Sequence, residues 1–132
     1  MTDDLVARYL RALGDADLPA MLGLFADGAI VHSPLYGDLP ATDFYPALFM
    51  DTGAATLTPL GSMRGESRSG RPMVSFLFHF DWVLPGGTRA PFDVVDVAEL
   101  DDAGLITSLR IIYDTVHVRP AFEADTGKSS SR

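Results

Sequence analysis

The stretch Val74-Ser75-Phe76-Leu77-Phe78-His79-Phe80-Asp81-Trp82 decides the fold. Side chains on an extended strand alternate between faces, so Val74, Phe76, Phe78, Phe80 and Trp82 share one face, while Ser75, Leu77, His79 and Asp81 share the other. The aromatic face is expected to line an interior. The strand-like run reaches from Pro72 to Leu84, and comparable runs cover Ala55 to Glu66, Ala90 to Leu100 and Leu105 to Val118. Their separators, Ser67 to Arg71, Pro85-Gly86-Gly87 and Asp101-Asp102-Ala103-Gly104, are rich in turn formers, which predicts consecutive antiparallel hairpins.

Upstream of these runs the periodicity changes. Leu5, Val6, Tyr9, Leu10 and Leu13 recur at helical spacing, with Gly14 placed to end the helix. Asp17 can cap a second helix whose buried face is Leu18, Met21, Leu22 and Phe25, with Pro19 in its first turn and Asp27-Gly28 breaking it. Ala29 to Ser33 reads as a short strand stopped by Pro34. Thr42 is a candidate cap for a third helix from Asp43 to about Thr52, with Phe44, Tyr45, Leu48 and Phe49 as its large apolar groups and Pro46 keeping it short.

Helices followed by a run of hairpins is the pattern of an α+β domain. Three short N-terminal helices cannot cover four long twisted strands, so the expected architecture is a cone-shaped, strongly curved antiparallel sheet enclosing an apolar pocket. One domain is expected over residues 1–120. Residues 121–132, small and polar towards Lys128-Ser129-Ser130-Ser131-Arg132, read as a flexible tail.

Composition narrows the function. The 132 residues carry 10 Lys plus Arg against 18 Asp plus Glu, a formal charge of -8, which disfavours nucleic acid and anionic membrane surfaces as partners. There is no cysteine, which excludes disulfides and thiolate chemistry. No apolar run approaches the roughly 20 residues of a membrane span, and Met1-Thr2-Asp3-Asp4 leads directly into the first helix pattern, so a cytoplasmic location is expected. The three histidines lack metal-ligand spacing, no glycine-rich loop opens a helix, and no Gly-x-Ser-x-Gly elbow occurs. Neither a metal nor another cofactor is expected, and an apolar small molecule is the expected partner.

Arg8 to Leu18 and Leu24 to Pro34 resemble the opening helices and first strand of the nuclear transport factor 2-like superfamily, in its SnoaL-like and ketosteroid-isomerase-like branch. Asp101 to Arg110 resembles that family's last hairpin, and Tyr113-Asp114 matches an aromatic-Asp pair common among SnoaL-like chains. The resemblance spans residues 3–120. It implies a fold that hosts isomerases, epoxide hydrolases, polyketide cyclases and binders without activity, and it implies a homodimer.

The resemblance to a ketosteroid isomerase places Tyr9 on the tyrosine of the oxyanion hole and Asp96 on its acidic partner. Asp96 lies among Val94, Val95, Val97 and Ala98, where burial favours the neutral acid, and a neutral acid can donate a hydrogen bond. The family's catalytic base falls on Ser33, whose hydroxyl cannot accept a proton near neutral pH. His32 has a suitable intrinsic pKa and is the candidate base, although adjacent strand residues face opposite ways unless the Pro34 turn twists them. Phe25, Ser33, Phe49, Phe76, Phe78, Trp82 and Tyr113 are the candidate substrate-binding residues. Asp114 reads as structural, and His79 and His117 as surface residues. An epoxide-opening enzyme is weakened by Ile111, which stands where the limonene epoxide hydrolase branch carries its second acid. The bland alternatives are a core tyrosine at position 9 and an Asp96 paired with an arginine or turned to solvent through a bulge.

Overall fold

The computed structural model describes residues 2–131. Its elements run α1 (Thr2–Asp15), α2 (Leu18–Leu22), β1 (Phe25–Ser33), β2 (Gly37–Pro40), α3 (Ala41–Met50), β3 (Ala54–Glu66), β4 (Pro72–Val83), β5 (Phe92–Leu100), β6 (Ile106–Ile112) and α4 (Val118–Thr126). The six strands form one curved, unclosed sheet in the order β2-β1-β6-β5-β4-β3.

The helical periodicity buries Leu5, Tyr9, Ala12 and Leu13 of α1. Asp17 caps α2 by accepting a hydrogen bond from the Ala20 backbone N–H at 3.1 Å. α3 begins at Ala41, directly after Pro40 and ahead of the Thr42 cap read from the sequence. Phe44, Tyr45 and Leu48 form its buried face. The edge of the Tyr9 ring meets Phe76 at 5.2 Å, which packs α1 on the sheet face carrying the alternating aromatics.

The three hairpin pairings β3–β4, β4–β5 and β5–β6 are antiparallel, as the turn-rich separators predict. One pairing departs from a wholly antiparallel sheet, because β1 lies parallel to β6 with Ile30 beside Ser108. Strand β1 also starts earlier than the sequence suggests. Its register with β6 shifts between Phe25 and Ile30, and Gly28 within that shift adopts φ +76°, a left-handed conformation that glycine takes without steric cost. The short β2 folds back on β1 across Pro34-Leu35-Tyr36, pairing Ser33 with Gly37.

The C-terminal region corrects two expectations. β6 ends at Ile112 instead of reaching Val118, and residues expected to fray form α4. Val118 and Phe122, four positions apart, are both buried, and the Phe122 ring stacks on Trp82 at 5.8 Å and meets Tyr36 at 5.5 Å. Gly127 closes the helix in a left-handed conformation.

Polar contacts hold the chain beyond α4. Lys128 donates to both oxygens of the buried Asp51 at 2.9 and 3.0 Å, and the Ser131 backbone N–H donates to the Leu35 carbonyl. Arg119 donates to the Pro34 carbonyl, to the Ser130 hydroxyl and to the Ser131 carbonyl. Among the described residues no helix is long and apolar enough to cross a membrane.

Candidate ligand pocket

The sheet register builds the site as a row of inward-facing residues. Asp96 on β5 sits between Phe76 of β4 and Ile111 of β6, its partners across the two ladders. Ser33 on β1 follows His32, which pairs with Arg110, so Ser33 continues the row next to Ile111. Above this row lies a small cavity of about 40 Å³. That is room for on the order of three water molecules, so a ring-sized ligand needs side chains to move aside.

The cavity wall is almost entirely apolar. Phe78, Phe80, Phe92, Trp82 and Tyr113 line the sheet side, and Phe44, Leu48, Leu13, Leu35 and Tyr36 close it from the helices and the β1–β2 turn. Tyr9, Ser33 and Asp96 supply polar groups among these walls. Tyr113 stacks on Phe92 with ring centres 4.1 Å apart, a contact that orients both rings at the cavity's half-buried side.

Asp96 is 1% exposed, and its Oδ1 has no hydrogen-bond partner. Burial pushes its pKa from the usual carboxylate range up to about 7, and the nearby Tyr9 hydroxyl offsets part of that rise. The acid is therefore poised near neutrality. The hydroxyls of Tyr9 and Tyr45 share a hydrogen bond of 2.8 Å, and burial raises both phenols well above their ordinary range, with the charge of Asp96 adding to it. Both stay protonated and act as donors. The Ser33 oxygen accepts hydrogen bonds from the backbone N–H groups of Leu35 and Tyr36 at 3.2 and 3.1 Å. These two bonds use the oxygen as an acceptor, which leaves its proton free to be donated.

The structure gathers Tyr9, Asp96, Ser33, Phe78, Trp82 and Tyr113 around one cavity and leaves four other candidates outside its lining. His32 is the correction that matters for chemistry. The alternation along β1 turns Ser33 inward and His32 to the opposite face, where its Nδ1 pairs with Asp38 at 2.9 Å. The Pro34 turn does not reverse that. Phe25 and Phe49 pack their rings against Tyr45 instead, and Phe76 meets the Tyr9 ring edge-on.

Sequence reasoning placed Tyr45 only as an apolar helix residue and missed its hydroxyl contact with Tyr9. It also missed Tyr36, which sits in an aperiodic turn yet lines the cavity and donates to Asp51 at 2.7 Å. Asp114 accepts from the Val116 backbone N–H, a local structural role. Among the described residues no group of histidines and carboxylates could hold a metal ion.

No protein-family model and no curated protein matches the sequence. Solved structures do match. An NTF2-like protein of unknown function from Burkholderia pseudomallei superposes with a TM-score of 0.74 at 16% identity, covering 92% of this chain and 96% of that one. SalBIII, described as an epoxide hydrolase/cyclase-like enzyme in pyran ring formation in the polyether salinomycin, gives 0.70 at 19% identity, covering 88% and 92%. The Delta 5-3-ketosteroid isomerase of a Mycobacterium species gives 0.63 at 22% identity, covering 88% and 95%. This chain has the NTF2-like fold. Among NTF2-like structures the same cone serves different chemistries, so the likeness identifies the scaffold and leaves the activity to the residues inside it.

Proposed function

We propose that this NTF2-like chain takes an apolar carbonyl compound into its cavity and hydrogen-bonds the carbonyl oxygen with Asp96, in its neutral form, and with the Tyr9–Tyr45 pair. The observation that carries this reading is the unpartnered Oδ1 of Asp96, buried among aromatic walls beside a tyrosine hydroxyl. A buried carboxyl oxygen without a partner is costly, and a ligand oxygen at that place removes the cost. Two donors converging on one oxygen stabilise an enolate more than the ketone it comes from, which is the half-site of an isomerase- or cyclase-type enzyme.

Enolisation also requires an acceptor for the carbon-bound proton. His32 faces away, Ser33 is not basic, and among the described lining residues Asp96 is the one carboxylate. That observation favours a second reading, a pocket that binds and polarises its ligand without turnover. Incubation with cyclic ketones in deuterated water separates the two. Exchange of α-protons that is lost by a factor of about a hundred or more in Asp96→Asn supports the enzyme. Binding without exchange supports the binder, and failure of any cyclic ketone to bind sinks both.

A further inference from the structure

A ligand in the cavity has to reach groups that the surface hides. Tyr9, Trp82 and Asp96 are each no more than 2% exposed, and the space beside them holds only about 40 Å³. Part of the wall must therefore move before a ring-sized molecule meets Asp96. The walls differ in what holds them. The sheet side belongs to the β4, β5 and β6 ladders, and on the helix side Tyr9 of α1 and Tyr45 of α3 are joined through their hydroxyls and an edge-on ring contact. The remaining wall is Leu35 and Tyr36, in the three-residue turn that leads into the edge strand β2.

That turn is held from outside by the segment that follows α4. The Ser131 backbone N–H donates to the Leu35 carbonyl, and Arg119 donates to the carbonyls of both Pro34 and Ser131. Asp51, at the end of α3, accepts from the Tyr36 hydroxyl and from Lys128, the one lysine of the sequence. Residues 127–131 thus run as a strap across the turn. The strap has no apolar side chain, and Lys128, Ser129 and Ser131 are exposed. Exposed hydrogen bonds and a half-exposed ion pair each contribute little, so strap and turn lift at a fraction of the cost of unfolding the sheet. The apolar hold on the turn is Leu35 and the edge contacts of Tyr36 with Phe44 and Phe122, which the ring of an entering ligand replaces.

We propose that the strap at residues 127–131 and the turn Pro34-Leu35-Tyr36 form a lid on the cavity, which lifts as a unit to admit the ligand and is drawn shut by Lys128 and Ser131. The inference rests on the cavity being the ligand site, and it adds the side from which the ligand enters. A disulfide tests it without touching the sheet, α1 or α3. A Cβ placed on Gly37 stands 3.7 Å from the Ser131 Cβ, within the usual spacing of a disulfide, and the sequence has no cysteine of its own to interfere. Gly37 has φ +77°, so a cysteine there is strained. The comparison is therefore between the oxidised and reduced forms of one Gly37→Cys, Ser131→Cys protein, which share that strain.

The probe is acrylamide, a small neutral quencher, acting on Trp82, the one tryptophan of the chain, which lines the cavity. In the reduced protein the lid lifts and Trp82 is quenched, and oxidation should lower the quenching constant by a factor of about three or more. Lys128→Ala in the otherwise unchanged chain should raise it by up to about fivefold. Association of a cyclic ketone, followed by stopped flow, should slow in the oxidised form alongside the quenching. Quenching that is equal in the oxidised and reduced forms, or unmoved by Lys128→Ala, overturns the lid and leaves the cavity reading standing. Failure of any cyclic ketone to bind either form overturns the cavity reading, and the lid's role in ligand entry with it.

Discussion

Replacing Asp96 by Asn should change how the stability of the protein depends on pH. In the folded chain the acid titrates at about 7, against about 3.8 for the same group exposed in the unfolded chain. Between those values the folded protein holds a proton that the unfolded chain has released. The contribution is fully present below about pH 4 and is lost as pH rises through about 7. Its size follows from the separation of the two pKa values, about 4 kcal/mol at 1.36 kcal/mol per pKa interval, an upper figure because buried acids relax and admit water. With a urea dependence near 2 kcal/mol per molar, that is a midpoint shift of up to about 2 M.

Asp125 is held low by the Gly86 and Thr88 backbone N–H groups and works in the opposite direction, with stability lost as pH falls below about 4. The informative quantity is therefore the difference between wild type and Asp96→Asn, measured by urea unfolding from pH 4 to 8. The wild type should lose stability relative to the Asn variant as pH rises, with most of the loss between about pH 4 and 7. Parallel pH profiles for the two proteins would refute the elevated acid, and with it the neutral donor in the cavity.

Tyr9→Phe removes a buried hydroxyl shared with Tyr45 and a donor near Asp96, so thermal unfolding should show a loss of about 1–2 kcal/mol and carboxyl NMR should show Asp96 titrating still higher. Phe122→Ala opens a hole behind Trp82 and Tyr36 and should cost about 3–5 kcal/mol in denaturant unfolding, whereas an unstructured tail would give no change. Lys128→Ala removes one partner of a largely buried carboxylate, but the lysine is half-exposed, so chemical denaturation should register a loss of less than about 1 kcal/mol. Ser33→Asp restores a carboxylate at the position where the resembled isomerases carry their base; if the donor half-site is in place, α-proton exchange on bound ketones should rise, and unchanged exchange with intact binding would argue against it.

The strands were legible because their signals are local. Phe76, Phe78, Phe80 and Trp82 alternate without interruption, and each turn is marked by glycine or aspartate where the chain reverses. The parallel seam between β1 and β6 was not legible, since nothing in the short strand at Ala29 to Ser33 names a neighbour so far along the chain. The helix at Val118 had a signal in the spacing of Val118, Ala121 and Phe122, which the polar residues after it obscured. Within the site, Asp96 stood out as a carboxylate among valines. Alternation along a strand was enough to send His32 and Ser33 to opposite faces, and the structure follows that rule. Tyr36 lies in a tight turn with no period to read, and its place in the cavity comes from the β1–β2 hairpin together with its contacts to Asp51, Phe44 and Phe122.

The seam between β1 and β6 also sets the order in which the molecule can assemble. The hairpins β3 to β6 close over short turns, so this half of the sheet can form early from neighbouring segments. The β1–β2 unit can dock only after β6 exists, and its loop-closure entropy makes that the slow, late event. A nascent chain halted before Ile106 exposes the apolar edge of β1 with nothing to receive it, so premature termination should yield an aggregation-prone species instead of a smaller working cone.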